Sequence, residues 1–299
     1  SGSWRARNRC HGSRLAGSSV AEGGRASPPP VPFVFAIGVT GHRKDVLAPS
    51  SLLNVHERLK AELATIAADA SDAFAENQQF YSPDPPRLLF VSPLADGSDQ
   101  MAAEVALELG FELHAVLPFD RDRYRATMAD DPSRARFDAL LSKATCTLEL
   151  PGTSDQDLDA YVMAGRATIA HSDLLIAVWD GLPPRGRGGT GEVVHLAHER
   201  GTPIVHILPN ANGETAIRWT AFEPNVITGV DDPSNIRPFD EETIGAVVSA
   251  LLAPPPDPQE REFLSAFQRE RLRMIRPRIE YPLLLAAAGV SRFRRHHWR

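Results

Sequence analysis

Three polar, glycine-bearing segments each follow an apolar run: GVTGHRKD (Gly38–Asp45), SPLADGSDQM (Ser92–Met101) and WDGLPPRGRGGTGE (Trp179–Glu192). In the first, Gly38 and Gly41 let the backbone turn sharply and approach a ligand. Thr40 supplies a hydroxyl, and Arg43 a planar fork suited to phosphate or carboxylate. His42 reads as a turn residue with a local hydrogen bond, since no second histidine stands at metal-ligand spacing. In the second, Gly97, Ser98 and Asp99 meet a helix start, where free N–H groups favour anions. Asp96 and Asp99 repel a phosphate, so they suit ribose hydroxyls or a helix cap better. The third is long for a strand-to-helix connection, which usually takes about 2–6 residues. Gly186, Gly188, Gly189 and Gly191 clear side chains from a ligand's path. Thr190 and the amides of Gly189 to Glu192 then open a helix whose dipole attracts phosphate. Arg185 and Arg187 are placed to close over it, and Asp180 to hold a ribose. No GKS or GKT follows, so the segment is not a P-loop.

These segments fall where parallel strands end. PFVFAIGV is a continuous apolar run, as a strand buried on both faces requires. RLLFVSPLA, FELHAVLPF, TCTLEL, DLLIAVWD and TPIVHILP read as five more strands. Helices alternate with them. Leu52, Val55, Leu59, Leu63 and Ile66 recur at helical spacing, and a polar helical stretch from Arg121 is expected to break at Pro132. Arg166 lies on the helix before the fifth strand, where a charged residue ordinarily faces solvent. The alternation predicts an α/β fold, a doubly wound and mostly parallel sheet with C-terminal helices. Ligands of such sheets bind outside the carboxyl ends of the strands.

The bulk numbers bound the rest. The 299 residues carry a net charge of −6, which gives no support to nucleic-acid binding through a basic face. Cys10 and Cys146 form neither a disulfide framework nor a zinc set, so a reducing, cytoplasmic setting is expected. Residues 1–30 hold five arginines and one acid, too little apolar surface to fold, and read as a disordered leader. Residues 31–253 form the domain. Residues 254–299 are a proline-rich linker, an amphipathic helix (Glu260–Ile275) and a basic tail. YPLLLAAAGV (Tyr281–Val290) is about half the roughly 20 residues a membrane span needs. It reads as a short packed helix, with contact at an anionic membrane surface as the alternative.

GVTGHR, VSPLADGSDQMAAEVALELG, AGRATIAHSDLLIAVWD and GGTGEVVHLA, in this order and spacing, resemble the SLOG superfamily. This is the Rossmann-like group of LOG- and DprA-like domains that includes the LONELY GUY proteins. The resemblance covers about Phe33 to Leu208. It implies a pocket for a nucleotide or nucleotide-derived ligand, no further cofactor, and a homodimer as the form LOG-like domains often take. In bacterial proteins of this type the region beyond the domain continues toward membrane or effector modules. In LOG enzymes an arginine before the strand and a glutamate after a PGGxGT loop support cleavage of a ribose–base bond. Arg166 matches the first position. Glu192 directly follows Gly188-Gly189-Thr190-Gly191 with no proline before, a shift of about half a helical turn.

The leading expectation is therefore a nucleotide-binding sensor domain. Phosphate would sit at Gly188–Glu192 with help from Thr40 and Arg43, and ribose at Asp96, Asp99 or Asp180. The alternative is a LOG-like phosphoribohydrolase, an N-glycosidase with Arg166 and Glu192 as its catalytic pair. No nucleic-acid partner is expected.

Overall fold

The computed structural model describes residues 7–10, 31–153, 157–210, 214–223, 228–255 and 257–268. The remainder of the leader and the segment Tyr281–Val290 with its basic tail lie outside the described residues. Nine strands form one sheet: β1 (Arg7–Cys10), β2 (Val34–Gly41), β3 (Arg87–Ser92), β4 (Glu112–Phe119), β5 (Cys146–Gly152), β6 (Leu174–Val178), β7 (Ile204–Ile207), β8 (Thr215–Arg218) and β9 (Ile236–Pro238). Their spatial order is β1-β5-β4-β3-β2-β6-β7-β8-β9. The six central strands, β5 to β7 in that order, run parallel, while β1, β8 and β9 pair antiparallel at the edges. The fold is the expected doubly wound α/β sheet. Chain order reverses between β2 and β6, which makes that junction the topological switch point.

Alternation along each strand sorts side chains onto two faces. In β6, Leu174, Ile176 and Val178 join the large core that includes Phe35, Ile37 and Val39 of β2. Leu175 and Ala177 join a smaller core with Trp179, Val193, Val194 and Ala197. Helix α1 (Pro49–Glu76) covers the first face, with Val55, Leu59, Leu63 and Ile66 each fully buried. Each such side chain contributes roughly 2 kcal/mol of burial. Helices α2 (Ser98–Glu108) and α7 (Glu241–Leu252) pack beside α1. Helices α5 (Leu158–Ala170) and α6 (Thr190–Glu199) pack together over the second face.

Several expectations need correction. The break between α3 (Arg121–Ala126) and α4 (Asp131–Lys143) falls before Pro132, which sits in the first turn of α4. Asp130 caps that turn by accepting the Ser133 N–H at 2.9 Å. A proline lacks only an amide that a first turn leaves unpaired anyway. Beyond Pro209, β8 and β9 continue the sheet, and in the leader Arg7–Cys10 adds the edge strand β1 rather than being wholly unstructured. Cys146 is disulfide-bonded and stands opposite Cys10 in the β1–β5 register, against the expectation of reduced thiols. The last described helix, α8 (Pro258–Gln268), leaves Phe263 82% exposed, and the rest of the expected helix lies outside the described residues. The side chains of Phe267 and Ile275 lie outside the described residues. Among the described residues no helix is long and apolar enough to cross a membrane.

Candidate functional site

A pocket of about 280 Å³ opens at the switch point. It is walled by the ends of β2 and β6, the start of α2, Tyr124 of α3, the inner face of α5 and the glycine loop into α6. Such crevices are where doubly wound sheets hold ligands.

The β2 end contributes Thr40, Gly41, His42 and Arg43. The His42 N–H donates to the Val178 carbonyl at 3.0 Å, tying this turn to β6. Its ring Nε2 accepts the Asp180 N–H at 3.1 Å and lies 3.2 Å from Asp180 Oδ1. A neutral ring satisfies the first contact, and a protonated ring favours the second. Arg43 reaches Asp96 Oδ1 at 3.4 Å and lies 5.8 Å from the centre of the Tyr161 ring. Burial opposes the Arg43 charge, but Tyr124, Asp96, Tyr161 and Asp99 around it prevail and raise its pKa. Gly41 admits no side chain, because a Cβ there would stand 2.4 Å from Ser98 Cβ.

At the α2 start, Ser98 is spent on structure: its hydroxyl donates to the His42 carbonyl at 2.9 Å. Gly97 holds φ at +106° beside the backbone of Arg43 and Lys44. Asp96 turns away from the pocket to face Arg43 and the Ala129 N–H. Asp99 remains in the pocket wall, 4% exposed, with Oδ1 lacking a partner. Burial pushes its pKa up to about 8, against the pull of Arg43 and the Ala95 and Gly41 amides. Gly38 is not in the pocket. It sits within β2, where a Cβ would meet Ser172 Oγ at 2.4 Å.

The loop into α6 is held down on both sides. Arg185 pairs with Asp180 Oδ2 at 2.6 Å, and Arg187 with Asp159 of α5 at 2.6 Å. Asp180 also accepts the Leu182 N–H at 3.1 Å. Burial opposes its charge, yet that bond, His42 and Arg185 keep its pKa below the usual carboxylate range. The N-cap of α6 is Gly189, and no side chain caps the helix. The first backbone bond of the helix runs from the Val193 N–H to the Gly189 carbonyl. The amides of Thr190, Gly191 and Glu192 thus have no intrahelical partner. Gly188 to Gly191 line the pocket.

The two residues expected to form a catalytic pair are not brought together in the pocket. The Glu192 carboxylate turns back onto the loop and accepts the Gly188 N–H at 2.5 Å. Arg166 is exposed on the outer side of α5, while Ala164, Gly165 and Thr168 of that helix face the pocket. Successive helical residues turn by about 100°, so the neighbour of a pocket-facing pair points outward.

The sequence reading missed the aromatic wall of Tyr124, Tyr161 and Trp179. Tyr124 is 1% exposed, and burial pushes its pKa far above the usual tyrosine value. Tyr161 stands one helical turn before Gly165, a small residue on the same face, which is the one signal available. Among the described residues no group of three or more His, Cys, Asp or Glu is arranged to hold a metal ion.

The fold and site define a Rossmann-like α/β domain with a pocket at its switch point. No family model and no curated protein matches the chain. Among solved structures it is similar to DNA processing protein A of Helicobacter pylori, whose structure is described for its single-stranded DNA binding mode. That match has 17% identity, a TM-score of 0.38, and covers 60% of this chain and 67% of that one. DNA processing protein A of Streptococcus pneumoniae matches at 18% identity and TM-score 0.40, over 61% of this chain and 52% of that one. The chain thus spans about half the length of that protein. The Moco carrier protein of Chlamydomonas rheinhardtii matches at 22% identity and TM-score 0.32, over 57% and 74%. These are likenesses of fold. The expectation of no nucleic-acid partner is corrected by them, because a similar structure is that of a single-stranded DNA binder.

Proposed function

We propose that the switch-point pocket binds a nucleotide or nucleotide-derived ligand, and that the domain acts as a sensor for it. The observation that carries this reading is the uncapped start of α6 facing the pocket. Three amides without intrahelical partners and the positive end of the helix dipole favour a phosphate there. Tyr161, half-buried in the pocket wall, offers ring surface to a base, and Asp180 and Thr40 offer polar partners to a sugar. Binding rather than hydrolysis is supported because Glu192 is engaged by Gly188 and Arg166 lies outside the pocket.

Gly189→Asp tests the reading directly. The position has φ −83°, and a Cβ would meet only the Gly186 carbonyl at 3.4 Å. An aspartate N-cap takes up the free amides and, relative to glycine, stabilises the helix by roughly a few tenths of a kcal/mol. It also places a negative charge where the phosphate would sit. Isothermal titration with mono-, di- and cyclic nucleotides is expected to give binding to wild type and none to Gly189→Asp, with an unchanged or higher Tm. Binding by neither protein, or equal binding by both, would rule the reading out.

A further inference from the structure

We propose that His42 reads the charge of the ligand's phosphate, donating a hydrogen bond from Nδ1 to a dianionic phosphomonoester and taking up a proton as it binds. The inference rests on the nucleotide reading above and narrows it to ligands that end in a free phosphate. Alternation along β2 decides the side on which His42 falls. Thr40 stands opposite Ala177 in the β2–β6 register, and Ala177 belongs to the core that α6 covers. Two residues on, His42 lies on that same face. Helix α6 is the crossover between the parallel strands β6 and β7, so it starts at their carboxyl ends. It packs against β2 as well as β6. The His42 ring and the uncapped helix start thus share one face of the sheet, at neighbouring strand ends.

The contacts of the ring fix where its proton is. Nε2 accepts the Asp180 N–H at 3.1 Å, so that nitrogen offers a lone pair and the neutral ring holds its proton on Nδ1. Nδ1 has no partner among the described residues, and it is not sealed from solvent. It is an open donor in the pocket wall, on a side chain only 11% exposed. A phosphate oxygen that accepts from it sets an anion on one side of the ring. Asp180 Oδ1 already stands 3.2 Å from Nε2 on the other. Flanking anions favour the doubly protonated ring, and imidazole reaches that form near neutral pH. The ring then releases the Asp180 N–H and donates from Nε2 to the carboxylate instead. The other titratable groups of the walls are Arg185 after β6, Arg43 and Asp45 on the same turn as His42, Asp99 of α2 and Tyr161 of α5. Among the described residues only Asp180 bonds or pairs with the ring. A phosphomonoester carries about two negative charges above pH 7, its second pKa being about 6, whereas a diester carries one. The second charge is what the added proton answers.

The test is titration calorimetry from pH 7 to 8.5 with AMP, the 5′-methyl phosphodiester of AMP, and adenosine, which share base and sugar. Repeating each titration in buffers of different ionisation enthalpy counts the protons taken up. For wild type at pH 7.5, AMP is expected to bring in about half a proton or more. The complex then binds more protons than the free protein, so AMP affinity should fall as pH rises, roughly threefold to tenfold per unit. The diester and adenosine are expected to bind more weakly, with flatter profiles. His42→Gln keeps a donor of similar reach but cannot ionise. It should abolish proton uptake, flatten the AMP profile and bring AMP to within about threefold of the diester. The wild-type proton count needs no variant, so it keeps the test open if His42→Gln does not fold. No proton uptake by wild type, or uptake that persists in His42→Gln, overturns the assignment to His42. In that case AMP binding that Gly189→Asp abolishes still leaves the phosphate site standing. Failure of AMP to bind wild type overturns both.

Discussion

Gly188 holds φ at +74°, and a Cβ there would lie 2.5 Å from the Tyr161 Cβ. Both facts exclude a side chain, one through backbone conformation and the other through space. The same residue donates its N–H to Glu192, so the loop, α5 and α6 are joined at one position. Replacing it by alanine adds about 1 kcal/mol of left-handed strain and about 1–2 kcal/mol of overpacking. Gly188→Ala is therefore expected to lose about 2–3 kcal/mol in urea unfolding. Gly186 has nothing within 4 Å of a Cβ, so Gly186→Ala should stay within about 0.5 kcal/mol of wild type. Equal losses at the two positions would show that the contact with Tyr161 is not what fixes the loop. The glycine cluster was visible in the sequence, but the different roles of its members were not. A sequence does not reveal that one glycine makes room for a tyrosine 27 positions earlier.

The elements tell a similar story with a sharper boundary. Five of the six central strands were legible as the apolar runs that a buried sheet requires, and β5, mostly half-buried, only as a short alternation. Strands β8 and β9 have four and three residues and lie partly exposed at the edge, too short and too polar to show a period. β8 pairs with β7 along its backbone and also makes a buried polar contact with α1. Thr215 of β8 donates its hydroxyl to Glu62 Oε1, and Arg58 bonds the Thr215 hydroxyl at 2.6 Å and the Leu208 carbonyl at 2.8 Å. Glu62 is 6% exposed, and its Oε2 has no partner. Burial raises its pKa to about 7, against the pull of Thr215 and Arg58. The unfolded value is about 4.3. The folded form is therefore penalised as pH rises through this window, fully so above 7 and not at all below 4. Glu62→Gln is expected to raise stability at pH 8 by up to about 3 kcal/mol, less whatever Arg58 at 3.9 Å returns, and by little at pH 4. Chemical denaturation at the two pH values measures the difference. The same increment at both would mean that Glu62 does not titrate in this range.

At the scale of the molecule, the pocket is the place where separate parts of the chain converge. Its walls come from segments near residues 40–46, 93–99, 118–124, 161–168 and 179–193. The ties across it include the His42–Asp180 contact, the Ser98–His42 bonds, the Arg43–Asp96 pair and the two arginine bridges of the glycine loop. The two arginine bridges of the glycine loop are exposed on the arginine side, and such pairs contribute little singly, about 0–1 kcal/mol. The loop should therefore open locally at a small fraction of the global unfolding free energy. A ligand bound across the switch point adds RT ln(1 + [L]/Kd), about 2.7 kcal/mol at a hundredfold excess over Kd, to every opening that breaks its site. The gain is local in origin. Hydrogen exchange with saturating AMP is expected to slow at residues 40–46, 94–99 and 182–192. Helix α7, which packs on α1 on the far side of the large core, should change only through global unfolding. Slowed exchange at β8, β9 and α7 with none in the glycine loop would place the ligand elsewhere. That result would leave the uncapped start of α6 without the partner that its three free amides require.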